Sequence, residues 1–557
     1  MITPDLLSRV PLFAGVDEAE LEDVAARAAD IQLRTGDWLI QEGEVPSFFI
    51  VLSGRLSVTK QVAGHEVELT KYDAGMFAGE VPILLGAPAI ASLRALEPTR
   101  VARLASDDFH DLFGQCPELN ARIMKEMATR IGRLQNVATS TPRAMLTLVG
   151  HRFDLACHAL RDFLARNQVP FRFRDIHGAG NAAAPPKLDE AFPQLEFPDG
   201  GRLVAPKLRE VADRLGLQTA PASGLYDLAI VGAGPAGLAA AVYGASEGLR
   251  TVLIEREAPG GQAGTSSRIE NYLGFPTGIA GDDLGSRALQ QAKRFGAEIL
   301  VARDVRGIDI GMGRHAVLLD GGERVETRAV VVATGVAWRR LETPGAEQFV
   351  GRGLYYGAAR TEAPATRGRD IFLIGGGNSA GQAAMFFAGY ARSVTLVVRG
   401  ESLASSMSHY LIQQLGTQAN VRVVTNTHVV GIGGEAHVEW IELDDRRTQE
   451  RCRADTDAVF AFIGADAETR WLPETLIRDE RGYVCTGRDV MDLLALHVGR
   501  WPLGRDPYLL ETSVPGIFAA GDVRHGSIKR VAAGVGEGSM AIAFVHPYLA
   551  EDSPAAE

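Results

Sequence analysis

Two glycine turns carry the clearest chemistry in this chain. The first lies in YDLAIVGAGPAGLAAAVYGASEGLRTVLIERE, where Gly232, Gly234 and Gly237 stand as G-x-G-x-x-G directly after an apolar run. Pro235 and Ala236 sit inside the turn, an Ala-rich stretch follows, and Glu255 closes the next apolar run. Glycines there permit a tight turn and close backbone approach, a helix N-terminus faces a pyrophosphate, and the Glu255 carboxylate accepts from ribose hydroxyls; together they predict a dinucleotide site. The second turn, RDIFLIGGGNSAGQAAMFFAGYARSVTLVVRG, repeats the spacing with Gly375, Gly377 and Ala380 around Asn378 and Ser379. Its second strand ends in Arg399 instead of an acid. A guanidinium suits a 2′-phosphate where a carboxylate suits a free 2′-hydroxyl, which favours NADP(H) over NAD(H). A solvated surface arginine is the plainer reading of the same residue.

Sulfur has less to work with. Cysteines stand only at 116, 157, 452 and 485, the closest pair 33 residues apart, so neither CxxC nor a metal-ligand spacing exists. Isolated reduced thiols in a cytoplasmic protein are the expectation. The net charge of −12 argues against a nucleic-acid partner, which needs a basic surface. The opening MITPDLLSRVPLFAG lacks a basic segment ahead of an apolar core, so no signal peptide is expected. The uncharged stretch 228–245 is long enough to span a membrane, but its glycines and Pro235 fit a phosphate turn better, and no span is expected.

The elements that must position these residues follow from patterning. The first ~135 residues alternate short β-type runs with turn glycines and end in a helical stretch, a β-roll followed by a helix. From Met145 the order is strand, helix, strand, a loose polar tract, strand and helix, a compact α/β unit closed by QTAPASG. From Tyr226 onward strands alternate with helices and turn glycines, as doubly wound parallel sheets require. At 557 residues and 46% hydrophobic the chain has room for several cores. The fold class is multidomain α/β.

Residues 226–550 resemble the low-molecular-weight thioredoxin reductases. The resemblance rests, in order, on the first glycine turn, GGQ (260–262), IENYLGFP (269–276), VVVATGV (330–336), TPGAEQFVGRG (343–353), GGGNSA (375–380), DAVFAFIG (457–464), TSVPGIFAAGDV (512–523) and GEGSMA (536–541). It implies FAD plus a nicotinamide donor, NADPH with NADH as the alternative, on a two-domain Rossmann-type module. It places Gly261, Gln262, Asn271, Thr334, Gly335, Gly521 and Asp522 at the flavin nucleotide, and Gly464 at the second nucleotide. It also sets Arg530 and Val531 at the isoalloxazine turn, with Arg530 where glutamine is usual; a guanidinium near the flavin N1/C2 oxygen would favour the reduced ring, the alternative being that Lys529 and Arg530 simply face solvent. The family dimerises through its FAD domains, so a homodimer is expected.

That family also carries a CxxC and an acid between GRG and the second glycine turn. Laid on this sequence, the cysteines fall on Gly357 and Arg360 and the acid on Thr361. Disulfide reduction proceeds by thiolate attack through a mixed disulfide, which glycine and arginine cannot perform. No catalytic residue is assigned.

Residues 5–135 resemble a cyclic-nucleotide-binding domain, with Gly79, Glu80 and Ser92 in its phosphate cassette. Glu80 stands at the ribose position, but Ala89 replaces the phosphate arginine. Loss of that charge-assisted contact costs about 2–5 kcal/mol, leaving a weak cyclic-nucleotide site, a sensor of another small effector, or a docking module. Arg94 on the next strand is read as structural. Residues ~145–219 resemble a glutaredoxin-type unit without CxxC, with Pro193 at the cis-proline position. Cys157 there is read as a small buried hydrophobe, and His151 and His158 as satisfied or exposed.

The expected organisation is a cyclic-nucleotide-binding-like domain (1–140), a glutaredoxin-like domain (145–220), the first half of the FAD domain (224–347), an inserted NAD(P) domain (348–465) and the second FAD half (466–550). The function it suggests is hydride transfer from NAD(P)H to FAD and on to a non-disulfide acceptor: a quinone, a redox carrier protein or oxygen. The alternatives are a non-catalytic flavin redox sensor, and a disulfide reductase that uses cysteines outside the usual motif.

Overall fold

The computed structural model describes residues 2–62, 65–116, 119–127, 130, 146–176, 191–222, 224–266, 268–311, 313–357, 362–496 and 501–551. The chain divides into two compact units, Met1–Met145 and Leu146–Glu557.

In the first unit two four-stranded antiparallel sheets form a β-roll. One runs Ala29–Leu33, Thr99–Leu104, Phe48–Ser53, Phe77–Ala78; the other Trp38–Ile40, Ser92–Ala95, Arg55–Val62, His65–Asp73. The helix Glu18–Arg27 starts where the Asp17 carboxylate accepts from the Glu20 amide at 2.8 Å, an N-cap that satisfies one otherwise orphaned donor. Phe48 and Phe109 meet at 4.7 Å between ring centroids in a core that also takes up Leu7, Phe13, Ile50 and Leu104.

The second unit begins with a four-stranded sheet ordered Phe171–Asp175, Leu146–Gly150, Gln194–Glu196, Arg202–Val204. Its first pair is parallel and its hairpin antiparallel. The helix Leu155–Arg166 makes the crossover, and the Phe192–Pro193 peptide is cis. This α/β unit is not free-standing: Leu148, Leu160 and Phe163 share one apolar core with Leu228 and Ile230 of the next sheet.

That next sheet has seven strands, with Tyr226–Val231 between Thr251–Ile254 and Arg324–Val332, and Ile517–Ala519 added beside the latter. Both faces are covered, which is why these strands read as unbroken apolar runs. Leu228, Ala229 and Ile230 are fully buried. The apolar stretch 228–245 therefore divides into a strand, a turn and the helix Pro235–Ser246. Among the described residues, no helix is long and apolar enough to cross a membrane.

The chain leaves this sheet through Val336–Trp338 and returns through Ala465–Ala467, which pair antiparallel. Between them lies a five-stranded parallel sheet, ordered Leu354–Tyr356, Val459–Ala461, Asp370–Ile374, Ser393–Val397, Val421–Val424, and an antiparallel three-stranded sheet, Thr427–Gly433, Trp440–Asp445, Glu450–Asp455. The five-stranded sheet is thus inserted between strands of the seven-stranded one.

Candidate functional site

A cleft of about 540 Å³ opens at the C-terminal edge of the central strands. Gly232 leaves the strand at φ +102°, and a β-carbon there would press on the Ala333 carbonyl. Gly237 packs so closely under Gly232 that a β-carbon would overlap the Gly232 carbonyl. Gly234 caps the helix Pro235–Ser246, and the neighbouring Gly261 approaches it nearly backbone to backbone. The result is a helix N-terminus lined by bare backbone, the geometry a pyrophosphate needs.

Glu255 is fixed from both sides. One carboxylate oxygen accepts from the Ala233 amide at 2.8 Å, the other from the Glu257 amide at 2.9 Å. Burial pushes its carboxyl up, against those amides and the nearby Arg166 guanidinium. The opposite wall holds Thr334 and Gly335 of the ATG turn, and Gly521, Asp522, Arg530 and Val531. The Thr334 hydroxyl is buried there without a protein partner, as a ligand-facing group would be. Burial also raises the Asp522 carboxyl, with Lys529 opposing. The Gln262 side-chain amide donates to the Val336 carbonyl. The donors, bare backbone and orphaned hydroxyl fit a flavin dinucleotide.

On the far side, Gly375 lies against Phe462, its amide donating to the Val397 carbonyl at 2.9 Å. Gly377 caps the helix Asn378–Ala388, in which Ala380 is buried. The Asn378 side chain is occupied, accepting from the Ser408 amide at 2.7 Å. Only Ser379 of the predicted second-turn residues lines the cleft, joined by Gln382 and Ala383. Arg399 is exposed at its strand end, close enough to His428 and Arg446 that burial, then Arg446, then Arg399, hold the His428 imidazole below its usual range.

Other predicted residues lie outside the cleft lining or are already engaged by neighbouring groups. Asn271 does not line the cleft; the Ile269–Ile279 bridge closes its loop as a small outward hairpin and leaves it exposed. Gly464 also lies outside, in the return link, where its carbonyl accepts from the Arg339 amide at 3.0 Å. In the first unit, Glu80 is buried but occupied, 2.8 Å from Arg130 Nη1. Gly79, at φ +93°, lies where a β-carbon would overlap the Ser47 carbonyl. The Ser92 hydroxyl accepts from the Glu42 amide at 2.8 Å and does not face the Glu80 cavity. Arg94 donates to the Gly36 carbonyl at 2.8 Å and lies over the Trp38 ring, a structural role.

At the position where the resemblance lays the first cysteine, an indole stands close by. Gly357, at φ +87°, faces Trp338 so that a β-carbon would sit 3.6 Å from the indole ring. Trp338 meets Phe462 edge to face at 6.5 Å, and both line the cleft with Tyr356 and Arg340. Arg360 and Thr361 lie outside the described residues. None of the four cysteines lines the cleft among the described residues. Cys157 and Cys485 are buried, their thiols pushed up by burial to about 12 and about 11, so neither is a ready nucleophile. The described residues contain no metal-binding cluster.

Three participants were not legible beforehand. Arg166, from the end of the crossover helix, enters the cleft and donates to the carbonyls of Ala258 (2.9 Å) and Gly261 (3.3 Å). Glu537 accepts from the Gly521 amide at 2.7 Å and pairs with Arg524 at 2.6 Å, fixing the turn that presents Asp522. Glu362 is buried between His158 and Arg161. Trp338, next to the ATG turn, was within reach of sequence reasoning.

The fold and cleft define a two-nucleotide flavoprotein. The domain family described as "Pyridine nucleotide-disulphide oxidoreductase" matches residues 226–538, and the chain belongs to it. The "Cyclic nucleotide-binding domain" family matches residues 30–116. The chain is 32% identical over 59% of its length to 96% of a thioredoxin reductase from Bacillus subtilis, and 29% identical over 58% to 97% of a "34.2 kDa protein in rubredoxin operon" from Clostridium pasteurianum. Among solved structures it matches thioredoxin reductases of Lactococcus lactis (27% identity, TM-score 0.52, 58% of this chain and 99% of that one) and T. acidophilum (28%, 0.52, 59% and 100%). The thioredoxin reductase-like family uses FAD and NADPH.

Proposed function

We propose that the chain oxidises NADPH and passes electrons from FAD to a non-disulfide acceptor. The observation that carries this is Gly357 against Trp338: the position that would bear a reactive sulfur is a bare α-carbon facing an indole. Bound FAD supplies the two-electron relay between donor and acceptor. The chain's own work is positioning. The bare turn at Gly232–Gly237 and the fixed Glu255 seat one nucleotide, while the Gly375–Ala380 turn and Arg399 hold the other. The aromatic wall of Trp338, Phe462 and Tyr356 excludes water and offers flat surfaces to a ring-shaped acceptor such as a quinone. Arg530 at the cleft is the group we assign to stabilising negative charge on the reduced ring.

In this reading residues 145–220 are a glutaredoxin-like unit without redox function, the chain works as a homodimer, and the N-terminal domain senses an effector. The test is anaerobic reduction by NADPH followed by a panel of quinones, oxygen and a disulfide. Rapid flavin reduction with reoxidation by quinone supports the proposal. Reoxidation by disulfide alone overturns it, and tight binding of NADPH without turnover favours a redox sensor.

A further inference from the structure

The β-roll of the first unit holds a partly open cavity of about 90 Å³ between its second sheet and the short helix Glu80–Leu84. We propose that this cavity binds a small, uncharged, mainly apolar molecule of one or two fused rings, and that cyclic nucleotides are not its ligands.

Charge decides the class of ligand. A cyclic nucleotide brings a full negative charge, which cannot be buried without a cation to pair it. The charged groups on the described wall are Glu80 and Arg130. They lie 2.8 Å apart with side chains 1% and 9% exposed, so each cancels the other. Arg130 is further committed: Nη1 also donates to the Phe77 carbonyl at 2.8 Å, Nε donates to Glu126 at 3.2 Å, and the guanidinium lies 4.7 Å and 4.5 Å from the Tyr72 and Phe77 ring centres. Recruiting it to a phosphate would strand Glu80 as an unpaired buried carboxylate.

Ala89 offers no substitute. Its side chain is a methyl, its amide donates to the Glu44 carbonyl at 2.9 Å, and its carbonyl accepts from the Gly43 amide at 2.8 Å. The rest of the wall is apolar, built from Ile40, Phe49, Val58, Val81 and Leu93 with Ala91. Ser47, Thr70 and Tyr72 are the hydroxyl-bearing residues of the described wall, enough for a few hydrogen bonds. Apolar cavities of this kind take up single rings, driven by roughly 25 cal/mol per Å² of apolar surface removed from water. For nine heavy atoms that corresponds to a dissociation constant on the order of 0.1 mM.

The experiment is isothermal titration of the full-length holoprotein with indole, cyclic AMP and cyclic GMP. Indole should bind at one site per chain, and neither cyclic nucleotide should give heat at up to about 1 mM. Ala91→Phe fills the cavity and should weaken indole at least tenfold. Ala89→Arg, which places a cation on the wall, should weaken indole and raise cyclic AMP affinity at least tenfold. A thermal melt of each variant shows that its first unit is folded, and the gain of cyclic AMP binding cannot arise from misfolding. Micromolar cyclic AMP binding by the parent protein, indole binding unchanged in both variants, or no indole binding at all would each overturn the proposal.

Discussion

His158 Nδ1 lies 3.0 Å from Glu362 Oε1, and Arg161 Nη2 reaches the same oxygen at 2.8 Å. Glu362 directly follows the segment in which the reductase family keeps its cysteines. One helix, Leu155–Arg166, therefore holds both nucleotide folds: His158 and Arg161 grip the inserted one, and Arg166 grips the first through Glu257 at 3.1 Å and two backbone carbonyls. Phe153, just ahead of the helix, stacks on His437 at 4.3 Å.

Glu362→Gln should destabilise the second unit by about 3 kcal/mol, because it leaves the buried Arg161 guanidinium without its carboxylate. Burial opposes the Glu362 charge, but His158 and then Arg161 hold its carboxyl below the usual range. A lowered folded pKa contributes stability that is present above the unfolded value, near 4.3, and is lost as pH falls through the folded one. The gap between parent and variant in urea unfolding should therefore be full at pH 7 and narrow below about pH 4. A gap independent of pH contradicts the assignment.

Arg166→Met should weaken FAD binding about tenfold, since the side chain spans the loop 257–261 that forms one wall of the cleft. FAD fluorescence on dilution reads this directly. Reduction of the fully loaded variant by NADPH should proceed at the parent rate.

Gly237→Val should abolish FAD retention, because the added carbons overlap the Gly232 carbonyl and push the turn out of shape. The expected result is a colourless protein whose N-terminal unit still melts normally. A yellow Gly237→Val preparation would show that the turn does not hold the dinucleotide.

Arg399→Ala should raise KM for NADPH about tenfold while leaving KM for NADH and kcat unchanged, as loss of a charge-assisted phosphate contact predicts. Arg446 acts on the same His428 imidazole as Arg399, so two guanidinium groups lie near this strand end. Equal effects on both nucleotides would mean that Arg399 is a surface charge.

Both nucleotide folds were readable because their signals are local: a strand, a glycine turn and a helix in unbroken sequence. Glu255 was readable for the same reason, one strand further on. Arg166 was not, because its contact joins residues about ninety positions apart and nothing in RNQVP marks it. Asn271 shows the converse: it keeps its place in the motif while the Ile269–Ile279 bridge leaves it exposed outside the cleft lining. Glu80 matched its motif position, yet Arg130, fifty residues on, takes its carboxylate. Long-range pairing of buried charges decides such cases, and no short window contains it.

The central claim is that electrons cross this protein without sulfur. The most direct measurement is NADPH-driven quinone reduction by a variant carrying Cys116→Ser, Cys157→Ser, Cys452→Ser and Cys485→Ser together. The account predicts flavin reduction and quinone turnover within about twofold of the parent, since no described cleft residue is a cysteine. Loss of turnover in a folded, FAD-loaded variant would contradict it.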